Sequence, residues 1–195
     1  MTAAPTTAID TAKWHLADAA TSSKGQKYCI LSNENKPVSF ALKGDLRTRF
    51  GASSFDKNID STRKNLDFDI SNHKHLIELF SNIDKWAIGY LAKHSQRLLK
   101  KQMTEELIKS HYKPLVIEYG DTKSIRTKIN IRGHRACRFW DSDRNSTDIP
   151  PEDWLSNEYN VHVNIPQLYV MGSDVGFTIE TTDLLVRPID RQCPF

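Results

Sequence analysis

Residues 125–132 read Ile-Arg-Thr-Lys-Ile-Asn-Ile-Arg, a run in which two kinds of side chain alternate at every position. Because successive side chains of a β-strand point to opposite faces, the pattern predicts a half-buried strand with a polar outer face. That outer face would carry the cations Arg126, Lys128 and Arg132. Two residues of strand advance about 6.6 Å, so the cations would form a spaced row rather than a single point of charge.

More positive charge and an aromatic pair follow this strand directly, in Arg135, Arg138, Phe139 and Trp140. A groove for single-stranded nucleic acid needs cations for the phosphates and flat rings for the bases. Phe139 and Trp140 are adjacent, so a strand here would bury one ring and expose the other, and we take Trp140 as the stacking ring. The alternative is a solvated sheet face, because antiparallel sheets often carry lysine and arginine on the side that faces water.

Further basic and aromatic residues could extend such a groove. Four cations share one face at the end of a predicted helix: Lys93, Arg97, Lys100 and Lys101. They would lengthen the groove, or they form the solvated face opposite the apolar stripe of that helix. Tyr169 and Phe177, on a predicted closing hairpin, are weaker candidates for stacking.

The net charge of +3 conceals an uneven distribution along the chain. Residues 85–144 contain 14 Lys/Arg against 6 Asp/Glu, whereas residues 145–195 contain 2 against 8. A basic middle indicates an anionic partner, unless it packs against the acidic C-terminal quarter and the two regions neutralise each other.

Other kinds of site have weaker support. The loop Asp141–Glu152 has oxygen donors at the spacing of an EF-hand, but Ser146 replaces the required glycine and prolines interrupt it. We therefore expect an Asx-rich turn.

Cys137 between two arginines could be a reactive thiolate, although strand alternation places it on the buried side. Zinc spacing and phosphate-binding glycine loops are missing from the sequence, so we expect no metal, no cofactor and no enzymatic activity.

Strands and one long helix must position these residues. The predicted strands are 27–32, 38–42, 66–70, 115–119, 125–132, 136–140, 161–165, 168–171 and 177–186. The apolar period predicts a long helix over about 73–99, with Asn72 as its cap and with an interruption near Gly89 as an alternative. A second, short helix is predicted to start near Thr104. This order suits a small Greek-key β-barrel with one prominent helix.

The chain termini and the cysteines indicate the organisation and the compartment. We expect a flexible arm over residues 1–25, one domain over 26–188 and a short tail over 189–195. The arm lacks a secretory signal, no apolar run approaches the length of a membrane span, and the three scattered cysteines suit reduced thiols. These features predict an intracellular protein that is not secreted.

Several segments between residues 46 and 186 carry a resemblance to a known family. They are Phe50-Gly-Ala-Ser-Ser-Phe55, Lys64-Asn-Leu-Asp-Phe-Asp69, a helix with Asp84 and Trp86, Tyr112-Lys113-Pro114, the basic strand and a Gly172/Gly176 hairpin. In these segments the chain resembles the OB-fold single-stranded-DNA-binding proteins of nucleocytoplasmic large DNA viruses and of short-tailed phages. The resemblance implies an OB-type fold, a role in DNA replication or repair, and no catalytic activity.

The C-terminus departs from the phage-type pattern. Phage-type members recruit replication partners with a strongly acidic tail that ends in an aromatic residue. This chain ends in Pro194-Phe195, but Asp190 stands beside Arg191, so its tail is hardly acidic. Recruitment of replication proteins through Pro194-Phe195 is therefore an open expectation.

Three functions agree with these observations. The first is sequence-independent binding of single-stranded DNA, with RNA as an open alternative, by the basic strand and Trp140. The second is a structural or interaction protein, such as a virion or assembly component, whose basic strip docks an acidic partner. The third and least supported is an enzyme acting on nucleic acid. Under the first, replacing Arg126, Lys128 and Arg132 by alanine should weaken binding and leave the fold intact.

Overall fold

The structure, a computed structural model, describes residues 10–54 and 62–189. Within these ranges it has two α-helices, α1 (Lys74–Leu99) and α2 (Glu105–His111). It also has twelve strands: β1 (Trp14–Leu16), β2 (Ala20–Thr21), β3 (Lys27–Asn33), β4 (Lys36–Thr48), β5 (Arg63–Asp69), β6 (Tyr112–Lys113), β7 (Val116–Tyr119), β8 (Thr122–Asn130), β9 (Arg138–Trp140), β10 (Ser146–Thr147), β11 (Asn157–Met171) and β12 (Asp174–Pro188). Neither described helix is long and apolar enough to cross a membrane.

The predicted mainly β architecture with one prominent helix is confirmed. Every predicted strand overlaps an observed one, and the runs 161–165 and 168–171 join into the single strand β11. β3 and β4, which contain the predicted strands 27–32 and 38–42, form a hairpin whose turn residues Glu34 and Asn35 have φ values of 49° and 63°. Positive φ at both central positions is typical of the tight hairpin turns whose twist matches that of the strands.

The long helix differs from its prediction at two points. α1 begins after His73 without a side-chain cap, so Asn72 is not its capping residue. It also continues through Gly89, because the buried apolar stripe of the helix outweighs a glycine cost of about 1 kcal/mol. α2 begins as expected, where the Thr104 hydroxyl accepts a hydrogen bond from the backbone N–H of Leu107.

The chain divides into two compact units. Unit 1 contains the described residues within Met1–Val38, His73–Glu118 and Ile165–Thr178. Unit 2 contains those within Ser39–Asn72, Tyr119–Asn164 and Ile179–Phe195. Strands β4, β11 and β12 contribute residues to both. The prediction that residues 26–188 form one domain stays a prediction.

Unit 1 is built around β3 and α1. β3 pairs antiparallel with β1, with β2 and with residues 167–170 of β11. Trp86 of α1 contacts Trp14 edge to face, with 5.2 Å between ring centroids, and stacks on Phe177 at 6.3 Å. Because β1 and β2 lie within residues 1–25 and Trp14 is buried, the chain from Trp14 to Thr21 is not the flexible arm that we expected.

A buried carboxyl group joins α1 to the segment after α2. The Tyr112 hydroxyl donates to Asp84 at 2.7 Å, and the backbone N–H of Leu115 donates to the same carboxyl at 3.1 Å. Burial raises the pKa of Asp84 to about 6, although both hydrogen bonds act in the opposite direction.

The elevated pKa of Asp84 predicts a pH-dependent stability. The pKa of this group is 3.8 without the protein environment and about 6 in the fold, so its stabilising effect is complete below pH 3.8 and is lost as the pH rises through 6. We expect the free energy of unfolding of D84N, relative to wild type, to increase by roughly 2–3 kcal/mol between these limits. Urea denaturation at several pH values measures this difference, and a constant offset between the two proteins would contradict it.

Unit 2 contains the sheet that carries the basic strand. β5 pairs antiparallel with β4 and β8, and β12 runs parallel to β8 and β9. The alternation predicts buried Leu66, Phe68 and Ile70 in the run 66–70 and above all Ile129 and Ile131 in the run 125–132. All of these are buried except Ile131, which is half-buried, and Ile125 and Thr127 are buried beside Ile129. Thr127 satisfies its hydroxyl inside the core by accepting from Thr181 at 2.8 Å and donating to the Leu66 carbonyl at 3.3 Å. The face of these strands that lies opposite the buried side chains therefore points to solvent.

Candidate nucleic-acid interface

The pairing of β5 with β8 creates a polar outward face in unit 2. The register places Asn65 opposite Lys128, Asp67 opposite Arg126 and Arg63 opposite Asn130. β12 adds Glu180, which is the register partner of Lys128. We call these outward positions the basic face: Arg63, Asn65, Asp67, Arg126, Lys128, Asn130 and Glu180.

Arg126 occupies the middle of this face and is bound on one side by a buried carboxylate. Its Nε and Nη2 atoms each donate to Asp67 at 2.8 Å, and Nη2 also donates to the Tyr119 hydroxyl at 3.0 Å. The side chain of Asp67 is only 6% exposed, whereas that of Arg126 is 46% exposed. The hydrogen bonds to Asp67 raise the pKa of Arg126 further above its ordinary value. Arg126 is therefore both a structural partner of Asp67 and a half-exposed cation.

Lys128 lies in a locally positive environment. Its ammonium group donates to the Asn65 side-chain oxygen at 2.7 Å. Partial burial lowers the pKa of Lys128, and the charges of Arg63 and Arg126 lower it further. Since a nearby anion would relieve this repulsion, the electrostatics around Lys128 favour an anionic ligand.

An arginine pocket adjoins the basic face at the end of β8. This cavity of about 210 Å³ is lined by Arg63, Asn130, Arg132, Gly133, His134, Arg135 and Glu180. Arg63 is bound to Glu180 at 2.6 Å. Arg132 and Arg135, in contrast, are exposed and form no ion pair within the described part of the chain. The pocket thus presents positive charge that the surrounding carboxylates only partly neutralise.

The predicted strand 125–132 was placed too late in the chain. β8 runs from Thr122 to Asn130, so Arg132 belongs to the following loop and Ile131 is only half-buried. The reason is a turn at Gly133, whose φ of 91° suits glycine, closed by a bond from the Cys137 N–H to the Asn130 carbonyl at 2.7 Å. This turn brings Arg132 and Arg135 to one cavity.

Arg138 and Trp140 lie on β9 beside β12. Arg138 forms a bidentate ion pair with Asp183, at 2.7 and 3.0 Å, and the Trp140 indole N–H donates to the same carboxylate at 3.1 Å. Burial acts to raise the pKa of Asp183, but the hydrogen bonds from Arg138 and Trp140 hold it below its ordinary value. Trp140 is half-buried and lines a groove of about 320 Å³ together with His162 and Asp183. One edge of its ring is therefore occupied, and the remainder faces the groove.

Phe139 on the inner side of β9 and Cys137, which directly precedes this strand, are both buried. Burial raises the pKa of Cys137 to about 12, and the charge of Asp183 acts in the same direction. The position of Cys137 agrees with the buried thiol that strand alternation favours, because Arg138 points to the other face and is bound to Asp183.

The fold resembles that of a phage single-stranded-DNA-binding protein. The single-stranded-DNA-binding protein from bacteriophage Enc34 in complex with ssDNA matches over 90% of this chain and 97% of that chain, with a TM-score of 0.50 and 10% sequence identity. The structure of the C-terminally truncated Enc34 protein matches with a TM-score of 0.49 and 9% sequence identity, over 91% of this chain and 97% of that chain. For gp2.5, encoded by bacteriophage T7, the TM-score is 0.49 at 11% identity, over 80% of this chain and 97% of that chain.

These identities establish likeness of fold alone. The predicted resemblance to phage single-stranded-DNA-binding proteins, with an OB-type, mainly β fold, is confirmed at that level. No family model and no curated protein matches the chain. The terminal Pro194-Phe195, expected to recruit partners, lies outside the described residues.

The loop after β9 forms an Asx turn. The side chain of Asp141 accepts hydrogen bonds from the backbone N–H and the side-chain amide of Asn145, at 2.8 and 3.1 Å. β10 then pairs with β9. The loop is therefore a hairpin connection whose first carboxylate is used within the turn.

Six of the predicted site residues belong to unit 1. Arg97 is bound to Asp18 at 2.5 Å and to the Leu16 carbonyl at 3.0 Å, and Tyr169 is half-buried. Phe177 is only 7% exposed and stacks on Trp86, so it is not an available stacking ring. The others are exposed lysines: Lys93, Lys100 and Lys101.

Arg49 contacts the rings of Phe50 and Tyr119 beside the basic face, and none of these three was among the predicted site residues. The guanidinium of Arg49 lies 4.5 Å from the centre of the Tyr119 ring and 5.0 Å from that of Phe50. Tyr119 in turn accepts the hydrogen bond from Arg126. The local signal was present in Arg49-Phe50-Gly51, an arginine and an aromatic residue before a glycine, but their distance from Tyr119 in sequence concealed the contact.

Proposed function

We propose that this protein binds single-stranded DNA through the basic face and the arginine pocket of unit 2. The observation that carries the proposal is the convergence of β5, β8, β12 and the 131–137 loop on one group of cations. Arg132 and Arg135 are exposed without an ion pair in the described residues, and the pKa of Lys128 is lowered partly by its cationic neighbours. A polyanion would relieve that repulsion and occupy the pocket.

The proposed mode of binding is independent of base sequence. Arginine and lysine would contact phosphates, which carry no sequence information, and ring faces would stack on any base. Trp140, which lines the groove beside Arg138, is a second stacking candidate on β9. Support from likeness of fold comes from the Enc34 protein, which binds ssDNA in the structure that matches this one.

We further propose that this activity serves DNA replication, repair or recombination and that the protein is not an enzyme. Within the described residues no group of three or more histidine, cysteine or acidic side chains could hold a metal ion. Cys137, the cysteine considered as a nucleophile, is buried, and burial raises the pKa of its thiol to about 12. Recruitment of replication proteins through Pro194-Phe195 belongs to the same proposal and rests on the sequence alone.

Fluorescence anisotropy with a labelled thirty-nucleotide oligo-dT tests the proposal. We expect saturable binding at low salt that weakens as salt increases, because each phosphate contact releases counterions. Oligo-U of equal length measures the preference between DNA and RNA, and poly-glutamate measures binding to an acidic polypeptide. Absence of oligo-dT binding at low salt would refute the proposal. Equal affinity for poly-glutamate at the same salt would instead favour an interaction protein.

A further inference from the structure

We propose that Phe50 is the outer ring of a preformed stacking site that takes one nucleobase of the bound strand. The inference rests on the proposed function, since it assigns a base-binding position to a DNA-binding surface. It is carried by four features of unit 2: the exposure of Phe50, the cation that supports it, the chain of contacts behind that cation, and the position of the segment along β5.

Phe50 is more exposed than any other phenylalanine, tyrosine or tryptophan of the described residues. Its side chain is 62% exposed, and every other phenylalanine, tyrosine and tryptophan of the described residues is buried or half-buried. Exposure alone does not identify a site, since singly exposed apolar side chains are common, but it leaves the ring accessible to a nucleobase, and the contacts below decide its role.

The backbone turns so that Phe50 and Arg49 lie against each other. Neighbouring side chains of a strand point to opposite faces, but β4 ends at Thr48 and Gly51 adopts φ +67°. Arg49 can therefore place its guanidinium 5.0 Å from the centre of the Phe50 ring. A cation at this distance from the ring centre is attracted to the ring face and restrains the ring.

The guanidinium of Arg49 also contacts the ring of Tyr119, and Tyr119 links it to buried residues. Its distance to the centre of the Tyr119 ring is 4.5 Å. The Tyr119 hydroxyl accepts from Arg126, and Arg126 is fixed by two bonds to the buried Asp67. The contacts thus run without a gap from an exposed ring to a buried carboxylate, which means that the stacking surface is ordered before any ligand arrives.

The segment that carries Phe50 lies directly beside the proposed phosphate contacts. The backbone N–H of Arg49 donates to the backbone carbonyl of Asp67 at 2.9 Å, and Ser53 exchanges backbone hydrogen bonds with Asn65 at 2.9 and 2.7 Å. Asp67 and Asn65 are the register partners of Arg126 and Lys128. A strand whose phosphates contact these two cations would bring its bases to the edge of the sheet where Phe50 is exposed.

The test compares ring-deleting variants on oligomers with and without bases. F50A and F50L should each bind oligo-dT about tenfold more weakly than wild type, with an unchanged slope of log affinity against log salt, because a stacking contact and no charge is lost. On an abasic deoxyribose-phosphate oligomer of equal length, both variants should bind as wild type does. L155A is the matched control, since Leu155 is 53% exposed in the same unit, and it should bind oligo-dT normally.

A gain-of-signal variant completes the experiment. F50W should keep wild-type affinity and show additional tryptophan quenching on oligo-dT but not on the abasic oligomer. Unchanged affinity in F50A and F50L, with wild type binding well, would overturn the stacking site and leave the proposed function standing. Equal losses on both oligomers would also overturn it, because the ring would then act without a base. Failure of wild type to bind either oligomer would instead refute the proposed function.

Discussion

The variant K128A/R132A/R135A should bind single-stranded DNA roughly two to three orders of magnitude more weakly than wild type at about 50 mM salt. Each phosphate contact on a single strand contributes about 0.7 to the slope of log affinity against log salt. Between 1 M and about 50 mM salt, one such contact raises the affinity roughly eightfold, and the factors for three contacts multiply to give the expected loss. The slope itself should fall by about 2, which an anisotropy titration at several salt concentrations measures directly.

This triple variant is chosen so that the fold survives. Arg132 and Arg135 are exposed, and Lys128 makes its hydrogen bond to Asn65, which is half-exposed and can bind water instead. The matched control is K24A/K27A/K36A, which removes three exposed lysines of unit 1 and so changes the net charge equally. If only total charge mattered, the control would lose the same affinity.

A normal affinity in K128A/R132A/R135A would contradict the proposed surface. Of the other predicted cations, Arg97, Arg126 and Arg138 are paired with carboxylates, so the next to replace would be the exposed lysines of unit 1: Lys93, Lys100 and Lys101. A loss of affinity in that second triple variant, with none in the first, would move the DNA-binding surface to α1.

Local patterns predicted the elements of this fold well, because alternation and helical period report directly on burial. Leu66, Phe68 and Ile125 are buried as their alternation requires, and α1 covers nearly the whole predicted range. Errors arose at the ends of elements, because a single residue can decide where a helix or strand stops. The turn at Gly133 removed Arg132 from its strand, and no period in the sequence indicates where a strand stops.

The partners of the cations could not be predicted, because each pair joins residues far apart in the chain. Arg126 with Asp67, Arg63 with Glu180 and Arg138 with Asp183 depend on strand order and register. Sequence alone gives the number of charges but not which of them are neutralised. The same limit concealed the contact between Arg49 and Tyr119, since it forms only once the segment after β4 lies along β5.

The second large effect concerns Arg126, which we first expected to be replaceable without harm to the fold. Replacement by alanine should instead lower the free energy of unfolding by about 3 kcal/mol. Breaking a buried ion pair costs about 3–5 kcal/mol because the remaining charge stays buried without a partner. The Asp67 side chain is 6% exposed, but Arg126 is half-exposed, so we expect the lower end of that range. For a chain of this size, the melting temperature should fall by roughly 6–12 °C.

The double variant D67N/R126A separates this cause from a general loss of packing. It removes the buried charge together with its partner, so its free energy of unfolding, measured by urea denaturation, should lie well above that of R126A. R135A, which removes an exposed arginine without an ion pair in the described residues, should stay within about 0.5 kcal/mol of wild type. Equal stability of R126A and D67N/R126A would show that Asp67 does not depend on Arg126. With the expected order, weaker DNA binding by R126A reports partly on unfolding, so the difference in affinity between D67N and D67N/R126A is the better measure of what the Arg126 charge contributes to phosphate binding.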